Sequence, residues 1–222
     1  MDLASAFPPF GLRVTSGDLE LRLPDDTELT RLADVAVAGI HPPERNPFLV
    51  PWNVGEPDEV RRGLLQYHWA SRGRIAPEAW ALELGVFLDG EPVGVQSVSA
   101  TAFAATRSAG TGSWLGLEQH GKGLGKRMRL LALHLLFEGF GAADATTEAF
   151  DDNPESNGVT RSLGYAPNGV ALVDRKGGPA TENRYRMTRE MWASRPDLHR
   201  PDVTLSGVAA VRTMLGLDEH PA

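Results

Sequence analysis

Apolar and polar positions alternate over residues 12–15 and 19–23, which predicts two short strands. Asp25 and Asp26 then precede Leu29, Leu32, Val35, Ala36 and Ile40, the spacing of a capped amphipathic helix. Residues 41–52 hold Pro42, Pro43, Pro47 and Pro51, so their backbone is restricted and non-helical. Pro57-Asp58-Glu59 opens a second helix that carries Leu64, Leu65, Tyr67, His68 and Trp69. From residue 80 the period changes to two. Strands are predicted at 80–88 and 92–103, joined by the hairpin signal Asp89-Gly90, and at 112–117. A helix from Leu124 to about Gly139 follows, then a strand at 143–150, a short helix at 154–163 and strands at 169–174 and 183–189. Glycines and charges across 175–182 read as a flexible connection. The tail from Ser194 has apolar positions at Val203, Leu205, Val208, Val211, Met214 and Leu215 without a clear period.

This order implies an α/β class (an α+β mixed sheet), mostly antiparallel with one parallel crossover in its middle. Residues 1–192 read as one domain, divided into 1–79 and a core at 80–192, with 193–222 as a C-terminal extension. The chain of 222 residues is long enough for a sizeable core. It has no cysteine, which excludes disulfides, cysteine nucleophiles and cysteine-ligated metal. Six histidines stand apart without ligand spacing, so no metal is expected. A net charge of −7 argues against nucleic acid and anionic membrane as partners. No apolar run at the start or elsewhere reads as a leader or span, and the expected location is cytoplasmic. The apolar tail is a candidate homodimer contact.

Within this acidic chain, residues 119–137 carry Lys122, Lys126, Arg127 and Arg129 and no acid before Glu138. Gly121, Gly123 and Gly125 alternate between a predicted strand and a predicted helix. Unencumbered N–H groups converging on a helix N-terminus make an anion site, and several charge-assisted bonds of about 1.5–3 kcal/mol each suffice for a diphosphate. The plainer reading is a tight turn followed by a solvated basic helix face. Cations at a helix N-terminus are misplaced, however, unless an anion sits beside them. Two nucleotide motifs fail on named residues. Gly116-x-x-x-x-Gly121-Lys122 has Gly123 where a Walker A loop needs Ser or Thr, and Gly121-x-Gly123 is followed by Lys126 where a Rossmann turn needs Gly. Asp151-x-Asn153-x-Glu155 is not a calcium loop, because Ser156 and Ser162 occupy its turn and final ligand places.

His120-Gly121-Lys122-Gly123-Leu124-Gly125 resembles the Arg/Gln-x-x-Gly-x-Gly/Ala turn of the GNAT superfamily of acyl-CoA N-acyltransferases, with His120 in place of the usual Arg or Gln. Asn153-Pro154-Glu155-Ser156 followed by Leu163-Gly164-Tyr165 is similar to a second block of that family, as found in its ribosomal-protein alanine acetyltransferase branch. Taken alone, Asn153 and Ser156 also suit a simple helix cap. The resemblance spans residues 80–192. It implies an acyl-CoA site built from Trp114, Leu115, Leu117, His120, Gly121, Lys122, Gly123, Leu124, Gly125, Lys126, Asn153 and Ser156, which opens between two splayed strands.

The reaction so implied is direct attack of an amine on the thioester in a ternary complex, with acetyl-CoA or another acyl-CoA as co-substrate and no metal. The family's proton-donating tyrosine falls at Thr160, which leaves Ser156 as the expected catalytic acid. A backbone N–H near Leu115 is the expected oxyanion donor. Glu83, Glu148, Glu118 and His68 remain open as the base. The acceptor, a small amine, a protein N-terminus or a lysine, is expected against the first two helices and the proline-rich loop, with Trp52, Tyr67 and Trp69 at its cleft. The alternative is a non-catalytic acyl-CoA-binding module. A weaker third reading is a P-loop nucleotide binder.

Overall fold

In the computed structural model, which describes residues 2–218, a nine-stranded sheet divides the molecule into two packed faces. A helical turn, α1 (Leu3–Ala6), leads into β1 (Arg13–Ser16) and β2 (Leu19–Arg22). Helix α2 (Asp26–Ala38) starts on a capping box in which Asp25 and Glu28 bond each other's backbone N–H. Helix α3 (Pro57–Gly73) has proline in its first turn and buries Val60, Leu64 and His68, one every four residues. Then come β3 (Ala79–Leu88), β4 (Glu91–Thr101), the turn α4 (Phe103–Thr106), β5 (Ser108–Leu115), α5 (Leu124–His134), β6 (Asp144–Phe150), α6 (Pro154–Ser162), β7 (Ala166–Arg175), β8 (Gly178–Thr188), α7 (Arg189–Ala193), β9 (Thr204–Ser206) and α8 (Val208–Met214).

The strand order is β7-β8-β6-β5-β4-β3-β2-β1-β9, and β5–β6 is the parallel pair. The other pairs are antiparallel, as the hairpin signals imply. Alternation along the strands sends Leu82, Leu84, Val98 and Ala109 to the face covered by α5, where they share the main core with Met128, Leu131 and Leu135. Val95 faces the other way, into a second cluster with Leu29, Leu32 and Leu64 of α2 and α3. The mixed α/β sheet is thus covered on both sides over part of its width.

Four expectations shift. The strand placed at 112–117 begins at Ser108 and stops at Leu115, because Gly116 closes onto Val93 and the chain turns at 117–119. The strand placed at 92–103 ends at Thr101, and Phe103 turns inward in α4, fully buried. The connection at 175–182 is a tight hairpin between β7 and β8. Lys176 and Gly177 both hold positive φ, 59° and 80°, the pairing that suits twisted strands. The tail packs inward: β9 pairs with β1, and Val211, Leu215 and Leu217 are fully buried in the main core. Those three side chains fill the chain's own core, while Val203, Leu205, Val208 and Met214 stay partly exposed. Among the described residues, no helix is long and apolar enough to cross a membrane.

Candidate active site

The parallel pairing of β5 with β6 covers only Ser108–Thr111 against Asp144–Thr147. Beyond those four rungs β5 stays on β4 as far as Leu115, while β6 stays on β8 as far as Phe150. The strands part at Gly112 and Glu148, and a fork opens. One cause lies at Gly94 on β4. A Cβ there would stand 2.3 Å from the Trp114 carbonyl oxygen and 2.9 Å from Leu115 Cα, so only glycine lets β5 draw so close to β4 and away from β6. The ladder also fixes where amides point. Gly116 N–H bonds the Val93 carbonyl at 2.9 Å. Antiparallel alternation then turns Trp114 N–H toward β4 and Ser113 and Leu115 N–H toward the fork.

At the mouth of the fork the chain runs through residues 120–126 into α5. Gly121 and Gly123 hold φ of 74° and 78°, a backbone that side-chain-bearing residues rarely adopt, and no atom lies within 4 Å of the place where a Cβ would stand. Among the described residues, no hydrogen bond occupies the N–H groups of Gly121, Lys122, Gly123, Leu124, Gly125 or Lys126; the first bonded amide of the helix is Arg127, to the Gly123 carbonyl. Six free donors at a helix N-terminus form a cup with positive potential. The ring of His120 bonds the Leu115 carbonyl at 3.2 Å and ties this cup to the end of β5.

A cavity of about 1230 Å³ joins the cup, the fork and the loop between α2 and α3. Trp114, Leu115, His120, Gly121, Gly123, Leu124, Gly125, Lys126, Asn153 and Ser156 line it, as the sequence implied. Leu117 and Lys122 do not: Leu117 sits in the turn after β5, 40% exposed, and the Lys122 ammonium reaches out to Gln119 at 3.4 Å. Two other cations are not free to meet a ligand at the cup. Arg127 pairs with Asp18, and Arg129 is buried. Asn153 caps α6, its Oδ1 accepting from Ser156 N–H at 3.1 Å, while Ser156 itself still borders the cavity. Thr160 is fully buried and its hydroxyl has no partner, so no proton donor stands there to serve the cavity.

Glu83 is the candidate base that the geometry singles out. It lies on β3, 6% exposed, in register with Ser97 on β4 and, through it, with Gly112 at the start of the fork. Tyr67 Oη and Ser97 Oγ donate to its Oε1 at 2.9 and 3.0 Å. Burial raises its pKa, against the two hydrogen bonds that favour the carboxylate, and the Tyr67 phenol is pushed up to about 12 by burial and by the neighbouring Glu83. A buried carboxylate with a raised pKa beside a cleft is how a proton acceptor for neutral pH is made. Glu148 borders the cavity but is half exposed near Arg184, and Glu118 lies outside it beside Gln119. His68 is held down to about 4 by burial and by Arg72, hence neutral and a poor base.

The loop after α2 closes the cleft from above. Rings of His41, Phe48, Trp52 and Trp114 follow one another at 6.1, 5.4 and 5.6 Å, and Arg45 crosses the fork mouth to Glu155 of α6 at 2.6 Å. Trp52 and Tyr67 line the cleft as expected. Trp69 does not; it is 47% exposed and donates to Asp26 at 3.0 Å. Gly94 and Arg45 also shape the site; of the two, only Gly94 has a signal in the sequence, as a glycine inside a strand pattern.

Residues 18–166 match the family model described as an acetyltransferase (GNAT) domain, and the chain belongs to that family. Its fold is shared with solved acetyltransferases. Mycobacterium smegmatis RimJ in complex with CoA-disulfide aligns with a TM-score of 0.68 at 19% identity over 91% of this chain and 92% of that one. RimL, a ribosomal L7/L12 alpha-N-protein acetyltransferase in complex with coenzyme A, gives 0.62 at 21% identity over 79% and 97%. The ribosomal-protein-S5-alanine acetyltransferase from Vibrio fischeri gives 0.59 at 16% identity over 81% and 98%.

Proposed function

We propose that this chain moves an acetyl or other short acyl group from acyl-CoA to a primary amine, by direct attack within a ternary complex. The observation that carries this reading is the six free amides of residues 121–126 standing at the mouth of a fork whose inner edge presents two more, Ser113 and Leu115. The cup suits the donor's diphosphate, Lys126 adds the cation, and the fork takes the pantetheine arm in the manner of a missing strand. Leu115 and Ser113 N–H groups then stand where the thioester carbonyl develops negative charge.

Glu83 removes the amine proton, since burial raises its pKa and makes it a stronger base than an ordinary carboxylate. The acceptor enters from the side of α3 and the aromatic loop. Ser156 is the hydroxyl left to return a proton to sulfur; an acyl-transfer rate unchanged in Ser156→Ala removes it from that role. The family and the neighbours' names favour an amine at a protein N-terminus, with a lysine or a small amine as the other acceptors to try.

Burial of Thr160 at the usual donor position favours a second reading, an acyl-CoA-binding module without turnover. Thiol release from acetyl-CoA, followed over a panel of N-terminal peptides, lysine peptides and small amines, separates the two. Acceptor-dependent release supports the enzyme; tight coenzyme A binding with no release for any acceptor supports the module.

A further inference from the structure

We propose that Arg129 carries the negative charge of the departing sulfur, so that the thioester is cleaved without a proton donor at the Thr160 position. This rests on the acyl-transfer reading above. Arg129 projects from α5 and is 4% exposed. Its Nε donates to Gln96 Oε1 at 3.3 Å, one terminal nitrogen to Thr147 Oγ1 at 2.9 Å and the other to Ser113 Oγ at 3.1 Å. Those partners sit on β4, β6 and β5, so the guanidinium occupies the crotch of the fork. All three are neutral, and among the described residues no carboxylate comes within ion-pair distance of it. The titratable group beside the guanidinium is the phenol of Tyr165, whose pKa burial raises against the opposing pull of Arg129 and Thr111.

A buried guanidinium without an anion is costly, and every group that Arg129 touches is neutral. It borders the same cavity as the cup. Arg129 reaches Ser113, the neighbour of Gly112, while Glu83 aligns with Gly112 on the opposite face. The scissile bond would lie between a proton acceptor and a fixed cation.

The step balances as follows. The amine lone pair forms the C–N bond, the C–S bond breaks with its electron pair left on sulfur, and the surplus amine proton passes to Glu83. The thiolate stays ionised beside Arg129 and is protonated afterwards from solvent by way of the Ser156 hydroxyl. A thiol is a far stronger acid than an aliphatic hydroxyl, with a reference pKa near 8.5, so a guanidinium is enough to hold its anion.

The chain has no cysteine, so in a mixture with coenzyme A the only thiol is the ligand's. Its ionisation is read directly from thiolate ultraviolet absorbance as a function of pH, with saturation checked by calorimetry. On the wild-type protein the bound thiol is expected to titrate about one pH unit or more below free coenzyme A. Arg129→Lys should keep most of that shift, and Arg129→Met should abolish it and lower kcat at least tenfold at nearly constant KM for acyl-CoA. A wild-type complex whose thiol titrates like free coenzyme A overturns the proposal, and this measurement decides even if the Met variant does not fold. A Met variant that is less stable yet keeps the shift overturns it too, leaving Arg129 as a strut. Failure of coenzyme A to bind the wild type would instead bring down the acyl-transfer reading itself.

Discussion

Glu83 and Arg129 address the same stretch of β5 from opposite faces of the sheet. Glu83 is in register, through Ser97, with Gly112, and Arg129 donates to Ser113 one residue further on. Their separation by the sheet explains how a buried carboxylate and a buried guanidinium coexist without forming an ion pair. Each is held by neutral partners instead.

If Glu83 is the base, activity must depend on its ionisation. Burial raises its pKa, so kcat/KM should climb with pH along a limb centred above the usual carboxylate range. Glu83→Gln should lower kcat/KM by about 10²–10⁴-fold and remove that limb. Tyr67→Phe deletes a hydrogen bond that favours the carboxylate, so the limb should move to higher pH. A pH–rate profile of the three proteins checks all of this.

Gly94 makes room for β5. In Gly94→Ala the new methyl meets Trp114 O and Leu115 Cα, both backbone, and β5 must move toward the fork. The expected cost is about 1–3 kcal/mol of stability, with coenzyme A binding weakened beyond what that loss alone produces. Gly158→Ala is the control: nothing lies near its Cβ position, and it sits inside α6, where alanine is the better helix former. Chemical denaturation paired with calorimetry on both variants separates the two effects.

His68 is neutral in the folded protein, with its pKa lowered from 6.5 to about 4 by burial first and by Arg72 second. The unfolded chain therefore binds the extra proton between those values, and stability should be lost as pH falls from about 6.5 to 4. The size of this contribution is about 3 kcal/mol. Denaturation of wild type and His68→Gln across that range should show the wild type losing its stability more steeply; parallel curves would mean that His68 titrates normally.

Much of the sheet was legible because period-two alternation and turn chemistry are local. Asp89-Gly90 reads as a hairpin and folds as one, with φ of 50° and 82°. Lys176-Gly177 obeys the same rule, but the charges and glycines around it imitate a linker. The three-residue β9 has no local signal, since its pairing with β1 and the burial of Val211 and Leu215 behind it are tertiary. Most of the cup was readable, as its glycines sit on a strand-to-helix boundary. Arg129 is not legible in this way. In sequence it stands with the cations that meet solvent or phosphate, yet the fork gives it three hydroxyl and amide acceptors that lie 16–33 residues away. Glu83 shared the difficulty from the other side: one acid among several, until register placed it opposite Gly112.

The central claim is that the amides of Gly121 to Lys126 hold the coenzyme's diphosphate while the strand fork admits its thiol arm. Titrating coenzyme A into ¹⁵N-labelled protein tests this residue by residue. The account calls for saturable shifts of the 121–126 amides together with those of Ser113 and Leu115. Saturable binding that leaves both groups of amides unmoved would contradict it.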